Sequence, residues 1–260
     1  MLTQNPKNKS NMSEQIEKDK IYNCDCLEGM KHIPNASIDA IICDLPYGTT
    51  ANKWDSIIPL DLLWEQYKRV IKKGAPIVLF AQCPFDKVLG VSNLDWLKYE
   101  WIWEKHKASN FLHAKHAPLK LHENILVFSD GSEVRYFPQD LVYNPKINSR
   151  KSRNGKSDNW HEYNDTNYAE YENYPKDILE YAHDADSFHP TQKPVDLLRY
   201  LIRTYSNEGD TILDNCMGSG TTAVACIKEK RHFIGFELNK DYYDKACRRI
   251  DAERRQLSLF

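Results

Sequence analysis

Long apolar runs are missing from this sequence. None approaches the roughly 18 consecutive residues that a membrane-spanning helix requires, so no membrane segment is expected. The first residues lack the apolar core of a secretory signal, and a cytoplasmic location is the corresponding expectation. An excess of either charge is missing too: 35 Lys and Arg against 37 Asp and Glu leave a net charge of −2. Overall charge therefore identifies no polyanionic partner, and any nucleic-acid face must be a local patch. The seven cysteines include no CxxC pair. Without the spacing of a zinc or redox motif, reduced thiols are expected, with neither disulfide nor metal.

What is present is apolar material, 41% of 260 residues. That suffices for one large α/β domain with an insertion, or for two small domains. Residues 1–19 are polar and rich in Asn and Lys, and read as a flexible tail. From residue 20 to 130, apolar periodicity predicts strands at 21–23, 38–43, 75–81, 99–103 and 124–128, with helices at 27–33, 60–73 and 84–91. Composition then shifts over 131–187 toward Asn, Tyr, Ser, Lys and Asp, the mark of an insertion. Residues 188–255 return to alternation: helix 194–205 with Pro at its start, strand 211–213, helix 220–229, strand 232–236 and helix 239–254. Strands alternating with helices predict an α/β, doubly wound sheet.

Two stretches carry chemistry. Asp44-Leu45-Pro46-Tyr47 follows the apolar strand 38–43. A carboxylate, a proline-fixed turn and an aromatic ring at a strand end suit a flat, amine-bearing ring. Asp214-Asn215-Cys216-Met217-Gly218-Ser219-Gly220 places an acid at a strand end, then two glycines, then a helix start with free N–H groups. The next strand ends in Glu237, placed to hydrogen-bond a ribose diol. This is nucleoside-cofactor architecture. The loop lacks the Gly-Lys-Ser/Thr ending of a phosphate-binding Walker loop. Its glycines alone do not exclude a nicotinamide dinucleotide, but no arrangement of residues resembles a hydride-transfer site.

These stretches flank a third, His189-Pro190-Thr191-Gln192-Lys193-Pro194. In that order, and with Trp103-Glu104-Lys105 and His122-Glu123-Asn124 between them, they resemble the β-group of DNA amino-methyltransferases. Members of that family make N6-methyladenine or N4-methylcytosine from S-adenosylmethionine. The resemblance runs from about Ile21 to Ile250. It implies a class I methyltransferase (Rossmann-like) fold of seven strands, circularly permuted, with the catalytic half (20–130) before the cofactor half (188–255). It implies that Asp44 accepts a hydrogen bond from the target amine. The main-chain carbonyls around Leu45 and Pro46 would take the other amine proton, and Tyr47 would stack on a flipped base. Asp214, Gly218 and Gly220 become the cofactor loop, Glu237 the ribose acid and Asp25 the residue meeting the adenine of the cofactor. Thr191 and Lys193 line the methionine end.

The chain departs from the family pattern at Leu45, where Pro is usual, and at Asn215-Cys216, where Pro-Phe is usual. The substrate implied is double-stranded DNA, methylated site-specifically at adenine N6, as in restriction–modification. An initial Asp in the tetrapeptide favours adenine, with N4-cytosine the alternative. The alternative of another class is a catalytically silent DNA-binding protein that keeps the fold. The 131–187 insertion is expected to recognise the target, with Lys146, Arg150, Lys151, Arg153 and Lys156 on DNA phosphates. Lys105 to His122 forms a second cationic stretch, expected to contact the DNA backbone. The C-terminal peptide Gln256-Leu257-Ser258-Leu259-Phe260 resembles the tails by which bacterial proteins dock on the sliding clamp. A homodimer is compatible with the resemblance.

Overall fold

The computed structural model describes residues 16–48, 56–131, 133–144, 171–184 and 192–257. In chain order the first elements are β1 (Lys20–Tyr22), α1 (Cys26–Met30), β2 (Ala40–Asp44), α2 (Leu60–Val70), β3 (Ile77–Ala81) and α3 (Phe85–Ser92). There follow β4 (Leu97–Ser109), β5 (Lys120–Phe128), β6 (Val142–Tyr143), β7 (Tyr171–Glu172) and β8 (Ile178–Glu180). The last are α4 (Val195–Tyr205), β9 (Thr211–Asp214), α5 (Thr221–Lys228), β10 (His232–Phe236) and α6 (Lys240–Leu257).

The main sheet has the order β1-β10-β9-β2-β3-β5-β4-β8. From β1 to β3 all pairings are parallel, while β5 runs antiparallel to both β3 and β4. Along β2 and β3, Ala40, Ile42, Val78 and Phe80 enter one apolar cluster. Their neighbours Ile41, Cys43, Ile77 and Leu79 enter another. Alternate residues point to opposite faces of a strand, and helices cover both faces here. That is why these strands are continuous apolar runs. The first cluster takes in α4, α5 and Ala246 and Ile250 of α6. The second takes in Leu63, Trp64, Tyr67 and Val70 of α2 and Phe85 and Leu89 of α3.

The sheet has eight strands, not the seven expected. The added one, β8, pairs parallel with β4 through Ile102 and Ile178. At three residues it is too short to show a periodicity, and it lies inside the stretch read as an insertion. Residues 138–176 form a smaller compact unit of their own. Within it β6 and β7 pair antiparallel, with the rings of Tyr143 and Tyr171 5.7 Å apart. Residues 16 and 19, expected to belong to the tail, are tied to the fold. Ile16 is buried, and Asp19 accepts hydrogen bonds from His232 Nδ1 at 2.7 Å and Phe233 N at 3.3 Å. Among the described residues no helix is long and apolar enough to cross a membrane.

Strands β2 and β9 come from opposite ends of the chain and lie side by side. After β2 the chain moves to β3, and after β9 it moves to β10 on the other side. Such a reversal opens a crevice at the carboxyl ends of the strands. Asp44 ends β2 and Asp214 ends β9, so both acids stand at that crevice. Asp39 holds the seam from below. Its Oδ2 accepts from Thr211 N at 3.0 Å, and its Oδ1 pairs with Lys72 Nζ at 2.6 Å. Replacing Asp39 with Ala would leave a buried strand N–H without its partner. We expect Asp39→Ala to lower stability by about 1–3 kcal/mol, read as a lower urea midpoint with an unchanged m-value.

Candidate active site

The loop from Asp214 to Gly220 is shaped by its backbone. Gly218 and Gly220 have φ of +51° and +77°. A Cβ on Gly220 would also stand 3.1 Å from Ala246 Cβ, so both conformation and space require glycine there. Glu237 closes the loop from the next strand: Oε2 accepts from Gly218 N at 2.8 Å, and Oε1 from Asn239 N at 2.7 Å. Burial raises its pKa. Asp214 is buried, accepts from Cys216 N at 3.0 Å, and is pushed up by burial to about 6. Asp25 caps α1, its Oδ1 accepting from Leu27 N at 2.8 Å and Glu28 N at 3.3 Å. Asp25, Asp214, Gly218 and Glu237, with Asp44 to Tyr47 and Lys193, line a single cavity of about 720 Å³, while Gly220 shapes the loop behind it.

On the other wall Asp44 does not stand alone. Tyr47 donates its hydroxyl to Oδ1 at 2.6 Å, and Lys193 Nζ lies 2.6 Å from Oδ2. Lys193 also lies 3.1 Å from Glu123 Oε2, and Lys105 lies 3.1 Å from Glu123 Oε1. Two carboxylates and two ammonium groups thus alternate at the cavity, which compensates charge where water is scarce. Burial pushes the Asp44 carboxyl above the usual range, and Lys193 opposes that push. Burial would raise Glu123 as well, but Lys193 and Lys105 outweigh it and hold its carboxyl at about 2. Burial also works against the charge on Lys193, and Asp44 and Glu123 overcome it, so its pKa is raised.

The described residues predicted for the base pocket and the cofactor, Gly220 excepted, line one cavity, with adjustments. Tyr47 stacks on Phe85, ring centroids 5.6 Å apart and planes 26° apart, so a base must take the face that Phe85 leaves. Leu45 is buried in the cluster with Trp64 and Phe85, and Pro46 lines the cavity. Asn215 is buried and accepts from the Tyr67 hydroxyl. Its amide nitrogen lies 3.4 Å from Cys216 Sγ and 3.7 Å from Cys26 Sγ. The departure from Pro-Phe is therefore filled by amide and thiol contacts. Lys105, expected on a DNA-facing surface, is instead buried against Glu123. It lies two and four residues beyond Trp103 and Trp101, and strand alternation turns all three inward. Glu123 belongs to a stretch that carries the resemblance, but the sequence assigns it no role. Its signal was an acid at the head of an apolar strand. Gln192, likewise without an assigned role, is 4% exposed and lines the cavity, and its Oε1 has no hydrogen-bond partner among the described residues. Thr191, Lys146, Arg150, Lys151, Arg153, Lys156 and the last three residues lie outside the described residues.

Comparison with known proteins agrees with this geometry. The N6/N4 DNA methylase family model matches residues 38–248. The DNA adenine methyltransferase YhdJ of Escherichia coli (strain K12) is 28% identical over 89% of this chain and 82% of its own. The type II methyltransferase M.HpaI of Haemophilus parainfluenzae is 27% identical over 87% of this chain and 72% of its own. Among solved structures, the cytosine-N4-specific PvuII DNA methyltransferase superposes with a TM-score of 0.66 at 14% identity, over 90% of this chain and 86% of its own. A complex of M1.HpyAVI with S-adenosylmethionine gives 0.60 at 23% identity, over 89% and 98%. The fold is that of the class I methyltransferases.

The ion network makes a stability prediction. Glu123 is held at about 2 against its usual 4.5. The stability this contributes is present above about pH 4.5 and disappears as pH falls toward 2. We expect Glu123→Gln to cost about 3 kcal/mol at pH 7 and to approach the parent protein on acidification, measured by denaturant unfolding across pH.

Proposed function

We propose that this chain, which belongs to the N6/N4 DNA methylase family, methylates the N6 amine of adenine in double-stranded DNA, using S-adenosylmethionine. The observation that supports this reading most is the shared cavity. Asp44 and Tyr47 face the same space as Asp214, Gly218 and Glu237. The residues fit a nucleoside cofactor with an amino-acid end. Glu237 has both oxygens oriented by backbone N–H groups and retains acceptor capacity for a diol. Gln192 Oε1, buried and without a partner among the described residues, suits a donor such as an ammonium group. When bound, the cofactor supplies an electrophilic methyl group on a sulfonium centre.

Asp44 does the corresponding work on the base. An exocyclic amine is a poor nucleophile because its lone pair is delocalised into the ring. A hydrogen bond to Asp44, with a second to a main-chain carbonyl near Leu45, favours a pyramidal nitrogen. Each carboxylate oxygen can accept more than one hydrogen bond, so Lys193 and Tyr47 can orient Asp44 while the amine binds. Burial raises the Asp44 pKa, which suits it to take up the proton that the methylated amine sheds. Positioning and electrostatics then provide the rate. The target amine is inaccessible inside a stacked duplex, so the base must flip into the cavity and lie against Tyr47. Target choice is assigned to the insertion, with Lys146, Arg150, Lys151, Arg153 and Lys156 on phosphates. The Gln256–Phe260 peptide is assigned to a sliding clamp.

Incubation with methyl-labelled cofactor and duplex DNA, followed by nucleoside analysis, tests the reaction. N6-methyladenine is expected. N4-methylcytosine would reassign the base, and DNA binding without any transfer would support a silent DNA-binding protein. Asp44→Ala should lose at least about a hundredfold in rate while still binding the cofactor; persistent methylation would refute its role. Deleting residues 256–260 should abolish clamp binding and leave methylation of short duplexes unchanged.

A further inference from the structure

The β4–β5 connection carries a feature that the reaction at Asp44 does not use. Strand β5 runs antiparallel to β3, with Asn124 opposite Ala81. The beginning of β5 therefore lies at the carboxyl end of β3, on the cavity side of the sheet. Three residues at about 3.4 Å each place Lys120 about 10 Å beyond Glu123. Lys120 Nζ bonds Gln82 Oε1 at 3.0 Å, and both Gln82 and Ser109 line the cavity. Ser109 and Lys120 are the last register pair, so residues 110–119 form a tip at the rim of the site.

That tip is unusual in composition. Asn110 turns the chain with φ of +73°, and Phe111–His113 make one turn of 3-10 helix. Phe111 is 66% exposed and Leu112 is 97% exposed. Around them Lys107, His113, Lys115 and His116 are exposed, and no acid occurs between Lys105 and His122. Two large apolar side chains held in water at the apex of a cationic hairpin need a partner that is anionic outside and apolar within. Duplex DNA has that character: phosphates for the cations, and a base stack into which Phe and Leu wedges insert.

We propose that Phe111 and Leu112 form a wedge that enters the base stack of duplex DNA and occupies the gap left by the flipped nucleotide. The cations at the base of the tip hold the flanking phosphates. Phe111 and Leu112 are positioning residues: they stabilise the extrahelical base and touch neither the amine nor the cofactor. This rests on the reading of the chain as a DNA methyltransferase that flips its target.

The test compares two substrates with the full-length protein. One is a normal duplex; the other places an abasic site opposite the target adenine, so that the base is already poorly held. A Phe111→Ala, Leu112→Ala double variant should keep its thermal midpoint, because both side chains are exposed. We expect its kcat/KM on the normal duplex to fall about ten- to a hundredfold, with most of the loss recovered on the abasic substrate. Phe111→Leu, which retains apolar bulk, should stay close to the parent. A 2-aminopurine in the target position should brighten on binding to the parent protein and much less with the double variant. Equal losses on both substrates, or no loss on either, would overturn the wedge. If the parent protein methylates neither substrate, the failure lies with the methyltransferase reading.

Discussion

The site depends on one ammonium group. Lys193 lies between Asp44 and Glu123 and lets two carboxylates be buried in the same cavity wall. Remove that charge, and the pair would repel each other where water cannot screen them. Lys105 balances the second carboxylate from the far side. The order of charges, Asp44–Lys193–Glu123–Lys105, joins the end of β2 to the stretch before α4, to β5 and to β4. The same contacts that hold these elements together therefore also set the direction in which Asp44 faces.

That arrangement bears on how Asp44 would serve, in the proposed reaction, as an acceptor and then as a base. A buried aspartate without a cation would favour its neutral form and lose acceptor strength. One paired too strongly would be a poor proton acceptor. Here burial and Lys193 act in opposite directions, and the pKa stays above the ordinary value. Tyr47 fixes the other oxygen while Phe85 supports its ring. The pocket proposed for the amine is thus pre-organised by groups that need not themselves meet the substrate.

The wall proposed for the cofactor is built by different physics. Glu237 is oriented by two backbone N–H groups, and Gly220 by the close approach of α6. The two walls meet because β2 and β9 are neighbours, a seam tied by Asp39 to Thr211. The β4–β5 hairpin then extends past the same edge of the sheet, which puts its exposed apolar tip beside the entrance to the cavity.

Much of this was legible in the amino-acid order. Strands 40–44, 77–81, 211–214 and 232–236 are apolar runs bounded by turns, and the acids Asp44, Asp214 and Glu237 stand at strand ends or just beyond. Those are local patterns, so local reasoning reads them. The eighth strand was not legible, because three residues carry no period and β8 exists only through its pairing with β4. Nor was the ion network: Lys193 and Asp44 are 149 residues apart, and nothing near either names its partner. Lys105 illustrates the difference. Its surroundings in sequence are cationic and look solvated, yet one face of β4 points inward, and a period of two residues decides which lysine is buried. Local patterns of residues specify the elements, their order and the strand ends that carry acids. Which charges face one another is settled by folding, because ion pairing depends on distance in space, and the sheet sets that distance.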